Sequence, residues 1–152
     1  MSVVGIERAE SALTLARASA DLNGVAGRCQ FVKGDVFAEL ERRAAAGERY
    51  DVVLADPPAF AKSRREAGPA KQGYRKLARL GAALVADGGY LALSSCSYHV
   101  GAEAFGEAVM RGLHDARRTA RILRQSGAAA DHPVHPMLPE SAYLKFIVLA
   151  LD

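Results

Sequence analysis

Four short segments of the chain carry residue types able to do chemistry, and each follows an apolar run of β type. Glu7 follows the run 3–6. A carboxylate at a strand tip can accept two hydrogen bonds from a ribose diol, or it can be an exposed acid favoured by the dipole of the next helix. Gly34-Asp35-Val36-Phe37 follows the run 29–32. Asp35 can accept from an adenine amino group while Phe37 packs nearby, or it can be a helix N-cap. The two acids weigh more together, because a nucleoside laid across both tips needs one acceptor for its sugar and another for its base.

The third segment, Asp56-Pro57-Pro58-Ala59-Phe60, follows the run 50–55. Consecutive prolines fix φ and remove N–H donors, so Asp56 is held extended and the carbonyls near Pro57 stay available as acceptors. A planar base amine could be gripped there, with Phe60 stacking on it. The plainer alternative is a rigid loop stop. The fourth segment is Ser94-Ser95-Cys96-Ser97, after the run 89–94. Its thiol can be a nucleophile whose thiolate is supported by the flanking hydroxyls, or a small buried hydrophobe, which is how Cys29 reads. Neighbouring strands lie ~4.8 Å apart, so Asp56 and Cys96 on adjacent strands could touch one substrate.

Basic residues cluster between positions 62 and 76, where Lys62, Arg64, Arg65, Lys71, Arg75 and Lys76 face the single acid Glu66. In a loop beside a cleft, such a segment would engage a phosphate backbone, with Tyr74 available to stack or pack. A solvated mobile loop is the alternative. Arg117, Arg118, Arg121 and Arg124 read as a solvated edge.

These segments need a scaffold that brings strand tips together. The runs 3–6, 29–32, 50–55, 89–94 and 120–123 read as strands covered on both faces. Between them lie helical stripes, Ala9/Leu13/Ala16/Ala20, Phe37/Leu40/Ala44, Leu77/Leu80/Leu84 and Phe105/Val109/Leu113. The closing run 143–151 follows a Pro-rich loop rather than a helix, so it is expected to pair antiparallel. Asn23-Gly24 should close the first helix, and Asp87-Gly88-Gly89 the third. The stretch 57–73 reads as irregular. The whole predicts an α/β, doubly wound sheet, whose ligands bind beyond the carboxyl ends of the strands.

Composition narrows the function classes. The 152 residues are 50% apolar and 24% charged, with net charge +3, which suits one domain. No apolar run approaches the ~20 residues of a membrane span, so no membrane partner and a cytoplasmic address are expected. Two cysteines are too few for a disulfide framework or a zinc site, and His132 and His135 lack ligand spacing, so no metal is expected. No Gly-x-Gly-x-x-Gly follows a strand, which argues against a dinucleotide dehydrogenase.

In their order, the acid after the first strand, Gly-Asp, Asp-Pro-Pro-x-Phe, Ser-Cys-Ser, Asp-His-Pro-Val at 131–134 and Pro-Glu-x-x-Tyr-Leu-Lys at 139–145 resemble the ribosomal RNA large subunit methyltransferase I family. Those are class I enzymes that use S-adenosylmethionine and methylate cytosine C5. The resemblance implies that Glu7 binds the cofactor ribose, that Asp35 with Val36 and Phe37 binds its adenine, and that Asp56 also contacts it. Asp56-Pro57-Pro58 would form the methyl-transfer site. Cys96 would be the nucleophile, Asp56 would steady the cytosine ring, and Pro57, Pro58, Phe60, Lys62, Arg64, Arg65 and Tyr74 would meet the RNA. The expected partner is ribosomal RNA, with a homodimer as an option.

The family begins its catalytic domain with a strand and a Gly-rich turn, whereas this chain starts at the following strand. Residues 1–152 are therefore expected to be the C-terminal part of a Rossmann-like methyltransferase domain that lacks that first strand. Two alternatives stay open: methylation of an exocyclic base amine, which needs no cysteine, and a non-catalytic RNA-binding remnant.

Overall fold

The alternation of apolar runs and helical stripes produces six strands and four α-helices in the computed structural model, which describes residues 1–152. They divide into two units, Met1–Ala46 and Gly47–Asp152, and into two sheets.

In the first unit β1 (Val3–Glu7) and β2 (Cys29–Lys33) pair in parallel, with Val3 opposite Cys29 and Glu7 opposite Lys33. The crossover is α1 (Glu10–Leu22), which buries Leu13 and Ala20 from the expected stripe. Asn23 ends this helix by donating from Nδ2 to the Ser19 carbonyl at 2.7 Å, and Gly24 takes φ 66°, the left-handed closure that the Asn-Gly pair predicts. Helix α2 (Val36–Ala45) follows β2 and buries Leu40.

The second unit holds a four-stranded sheet in the order β3 (Tyr50–Ala55), β4 (Val85–Ser95), β6 (Lys145–Leu151), β5 (Ala120–Ser126). β3 and β4 are parallel, and β6 runs antiparallel to both of its neighbours, as the Pro-rich approach to it implied. Helices α3 (Ala67–Leu84) and α4 (Ala102–Asp115) bury the whole of their stripes, Leu77, Leu80 and Leu84 with Phe105, Val109 and Leu113. With Leu91, Leu93, Leu149 and Leu151 of the sheet these form the core, each full burial contributing about 1.5–3 kcal/mol. The helices approach closely at Gly112, where an added Cβ would lie 2.5 Å from the Arg75 carbonyl.

Four expectations need correction. Only β4 is covered on both faces. β3 and β5 are edges of their sheet, so Val52 and Leu54 remain 60% and 67% exposed and most of β5 faces solvent. Asp87-Gly88-Gly89 does not close α3, which ends at Leu84; it forms an irregularity inside β4. There Gly88 takes φ 75°, and an added Cβ on Gly89 would lie 2.7 Å from the Asp51 carbonyl. Two adjacent glycines thus serve a bulge rather than a helix stop. The stretch 57–73 is less irregular than expected, because α3 already starts at Ala67; Pro69 falls in its first turn, where the missing N–H costs nothing. Arg118 is no solvated side chain, since its guanidinium donates to the Val85 carbonyl at 2.8 Å and to Ala82 and Ala86 at 3.4 Å, closing the end of α3. No helix is long and apolar enough to cross a membrane.

Candidate functional site

In the first unit the register of β1 and β2 sets Glu7 and Lys33 side by side at the carboxyl ends of the strands. Glu7 Oε1 accepts from the backbone N–H groups of Arg8 and Ala9, both at 2.7 Å. It therefore anchors the approach to α1 with one oxygen while the other stays open. Asp35 is the N-cap of α2, accepting from the Ala38 N–H at 3.1 Å through Oδ1. Both carboxylates are exposed, Val36 is exposed and Phe37 is half-buried. Each acid thus fills its local structural role with one oxygen and offers the second from a neighbouring strand tip. That pair of acceptors fits the hydroxyls of the sugar and the amino group of the base of an adenosine group.

In the second unit the parallel register of β3 and β4 pairs Ala55 with Leu93, which carries Asp56 alongside Ser94. Ser94 Oγ donates to Asp56 Oδ1 in a short hydrogen bond, orienting the carboxylate at the start of the double-proline corner. Cys96 is half-buried, and its Sγ lies 3.8 Å from the Pro57 carbonyl oxygen. The thiol and the Asp-Pro-Pro corner therefore meet. Pro57 and Phe60 are half-buried and Pro58 is exposed. A cleft of about 230 Å³ opens beside them, with Leu54, Asp56, Ser94, Lys145 and Phe146 in its walls.

The residues flanking the thiol are locked. Ser95 and Ser97 are fully buried. Ser95 Oγ donates to Tyr74 Oη at 2.8 Å, Tyr74 Oη and Ser97 Oγ share a bond of 2.8 Å, and the Ala61 N–H donates to Ser97 Oγ at 3.2 Å. This corrects the expectation for Tyr74. It is 1% exposed, with its ring between Phe60 at 4.7 Å and Phe105 at 5.1 Å, so it supports the thiol turn and is not available to stack on a base.

The basic segment is also not one loop. Lys62, Arg64 and Arg65 are exposed between β3 and α3, whereas Lys71, Arg75 and Lys76 lie on α3. Arg75 forms a two-pronged ion pair with Asp115 of α4 at 2.6 and 2.8 Å. That bond holds the Asp115 carboxyl below the usual carboxylate range.

A methyltransferase domain model matches residues 1–127. The chain belongs to the methyltransferase domain family. It is 38% identical over 148 residues to the ribosomal RNA large subunit methyltransferase I of Aeromonas salmonicida, covering 97% of this chain and 37% of that protein. The chain thus spans little more than a third of that relative's length. A solved structure from Streptococcus mutans, described as that of a SAM-dependent methyltransferase, superposes with a TM-score of 0.83 at 22% identity, over 99% of this chain and 38% of that one. The O-methyltransferase from Bacillus cereus in complex with SAH superposes with a TM-score of 0.64 at 14% identity, over 99% of this chain and 63% of that one. The fold is the Rossmann-like, doubly wound α/β fold of methyltransferases.

Two buried charged residues of this methyltransferase domain, Arg43 and Lys145, had no role assigned from the sequence, and of these Lys145 borders the cleft. Lys145, the first residue of β6, lies opposite Ser95 and donates from Nζ to the carbonyls of Ser97 at 2.6 Å and Tyr143 at 2.7 Å. Its only sequence signal was its place at the end of the Tyr-Leu-Lys motif.

Proposed function

We propose that the chain is the catalytic part of an S-adenosylmethionine-dependent RNA methyltransferase that methylates cytosine C5 of ribosomal RNA through Cys96. The contact between the Cys96 thiol and the Pro57 carbonyl carries this reading. It sets a nucleophile beside a rigid acceptor corner, an arrangement that methylation of an exocyclic amine does not need. The likeness to the Aeromonas salmonicida enzyme supports the substrate class, and the SAH in the Bacillus cereus neighbour supports the cofactor.

Glu7 and Asp35 would hold the ribose and adenine, using the carboxylate oxygens left open at the two strand tips. When bound, the cofactor supplies an electrophilic methyl group. Cytosine C5 is a poor nucleophile, so the chain's own contribution is to activate the ring. The Cys96 thiolate adds to C6, the electron pair of the C5–C6 bond shifts toward C5, and C5 becomes able to attack. After transfer a general base takes the C5 proton, the C5–H electron pair re-forms the C5–C6 double bond, and the C6–S bond breaks to release the thiolate. Asp56, oriented by Ser94, steadies the ring as charge moves during addition. The exposed Lys62, Arg64 and Arg65 suit the RNA phosphates.

Two measurements test the reading. Calorimetric titration of the purified chain with S-adenosylmethionine should show saturable heat; its absence would leave an RNA-binding remnant. Methyl transfer to large-subunit ribosomal RNA should be lost in Cys96→Ala while RNA binding persists, and near-normal turnover would point to amine chemistry instead.

A further inference from the structure

Lys145 is 8% exposed, yet it carries an ammonium group. A buried cation is costly unless a countercharge accompanies it. Two of its three N–H donors go to neutral carbonyls, those of Ser97 and Tyr143, and no carboxylate stands within ion-pair distance. Tying two carbonyls together needs a donor but not a charge. Burial pushes the ammonium below the usual lysine range, and the neighbouring Cys96 acts in the opposite direction without reversing that shift. Lys145 also grips the turn at Ser97, one residue past the thiol, from a position across the sheet from Ser95, one residue before it.

We propose that Lys145 is a positioning residue of the methyl-transfer site, whose ammonium is the charge partner of the Cys96 thiolate. The inference rests on the reading of Cys96 as nucleophile. In that chemistry the thiolate is both the attacking and the leaving group, so a fixed cation beside it favours the anion before addition and after elimination. Proton and electron counts are unchanged, since the ammonium gives up no proton in either step.

Alkylation of Cys96 in the full chain reads this without turnover. Carrying Cys29→Ser leaves one thiol, and rates are followed at neutral pH with neutral iodoacetamide and anionic iodoacetate. Lys145→Met should slow carbamidomethylation at least about tenfold, the effect of one unit of differential stabilisation. It should also lower the iodoacetate-to-iodoacetamide rate ratio, because the nearby positive charge is gone. Lys145→Arg should stay within about threefold of the parent. If Lys145→Met fails to melt cooperatively, Lys145→Gln, which keeps a donor for the two carbonyls, takes its place. Unchanged rates and ratio in the neutral variant, or an arginine variant as slow as the neutral one, would overturn the proposal. Neither result resembles failure of the nucleophile reading, which is an active Cys96→Ala enzyme.

Discussion

Tyr74→Phe removes one oxygen atom from the middle of the thiol turn and leaves everything else in place. The ring still fills the gap between Phe60 and Phe105, so no cavity opens. What is lost is the acceptor for Ser95 Oγ and the partner of Ser97 Oγ, each at 2.8 Å and each inaccessible to water. Two hydrogen bonds contribute about 1 kcal/mol each, and a buried donor left without an acceptor costs about 1–3 kcal/mol more. Ser97 is partly compensated, because the Ala61 N–H still donates to it. Ser95 has no comparable acceptor for its proton. The expected loss is therefore about 2–4 kcal/mol, measured by urea unfolding followed by circular dichroism, with the slope of the transition unchanged. Tyr74→Phe combined with Ser95→Ala should recover part of that loss, since the orphaned donor is gone. A single-variant loss below about 0.5 kcal/mol, or a double variant that is fully additive, would refute the view that these hydroxyls form one buried network.

Two further outcomes follow from the packing of α3 on α4. Gly112→Ala sets a methyl group 2.5 Å from the Arg75 carbonyl and 2.6 Å from Ala78 Cβ; separating the helices should cost about 2–3 kcal/mol in the same unfolding assay, and a neutral substitution would mean the helices slide apart freely. The Arg75–Asp115 pair makes stability depend on acid, because Asp115 titrates lower folded than unfolded. Its contribution is present above the unfolded carboxylate pKa of about 3.9 and fades as pH falls through the folded value. Asp115→Asn should thus melt below the parent at pH 7, with the gap closing below about pH 4; a gap independent of pH would contradict the ion pair.

The strands and the four helical stripes were legible because burial on a sheet or helix face imposes a period on the sequence. Leu77, Leu80 and Leu84 show it most plainly, being buried without exception. Errors arose where one residue type serves two local geometries. Gly88 and Gly89 fit a helix stop as well as a bulge, and only the approach of the Asp51 carbonyl separates the two. Gly68 and Pro69 resemble loop punctuation, although proline suits a first helical turn equally. Glu7 and Asp35 were found by position, yet each also does the plain local job that competed with the functional reading. Tyr74 and Lys145 were out of reach for a different reason. The serines they hold around the thiol are 21 to 48 residues away in the chain, and no local pattern encodes such a pairing.

Those distant pairings bear on what Cys96 is for. Half-exposure alone does not single out Cys96, because Cys29 of β2 is half-buried too and not the fully buried hydrophobe expected of it; what sets Cys96 apart is its neighbours. Here the residues on either side are inaccessible to water while Cys96 itself remains half-exposed. Tyr74 of α3 holds both flanking hydroxyls, Lys145 of β6 holds the carbonyl that follows, and the corner after β3 presents the Pro57 carbonyl to the sulfur. Three elements far apart in sequence converge to fix a turn in which Cys96, between two buried serines, stays part-exposed. Such fixation has an entropic cost that packing alone does not require, and it is the condition under which a nucleophile meets its target without searching for it.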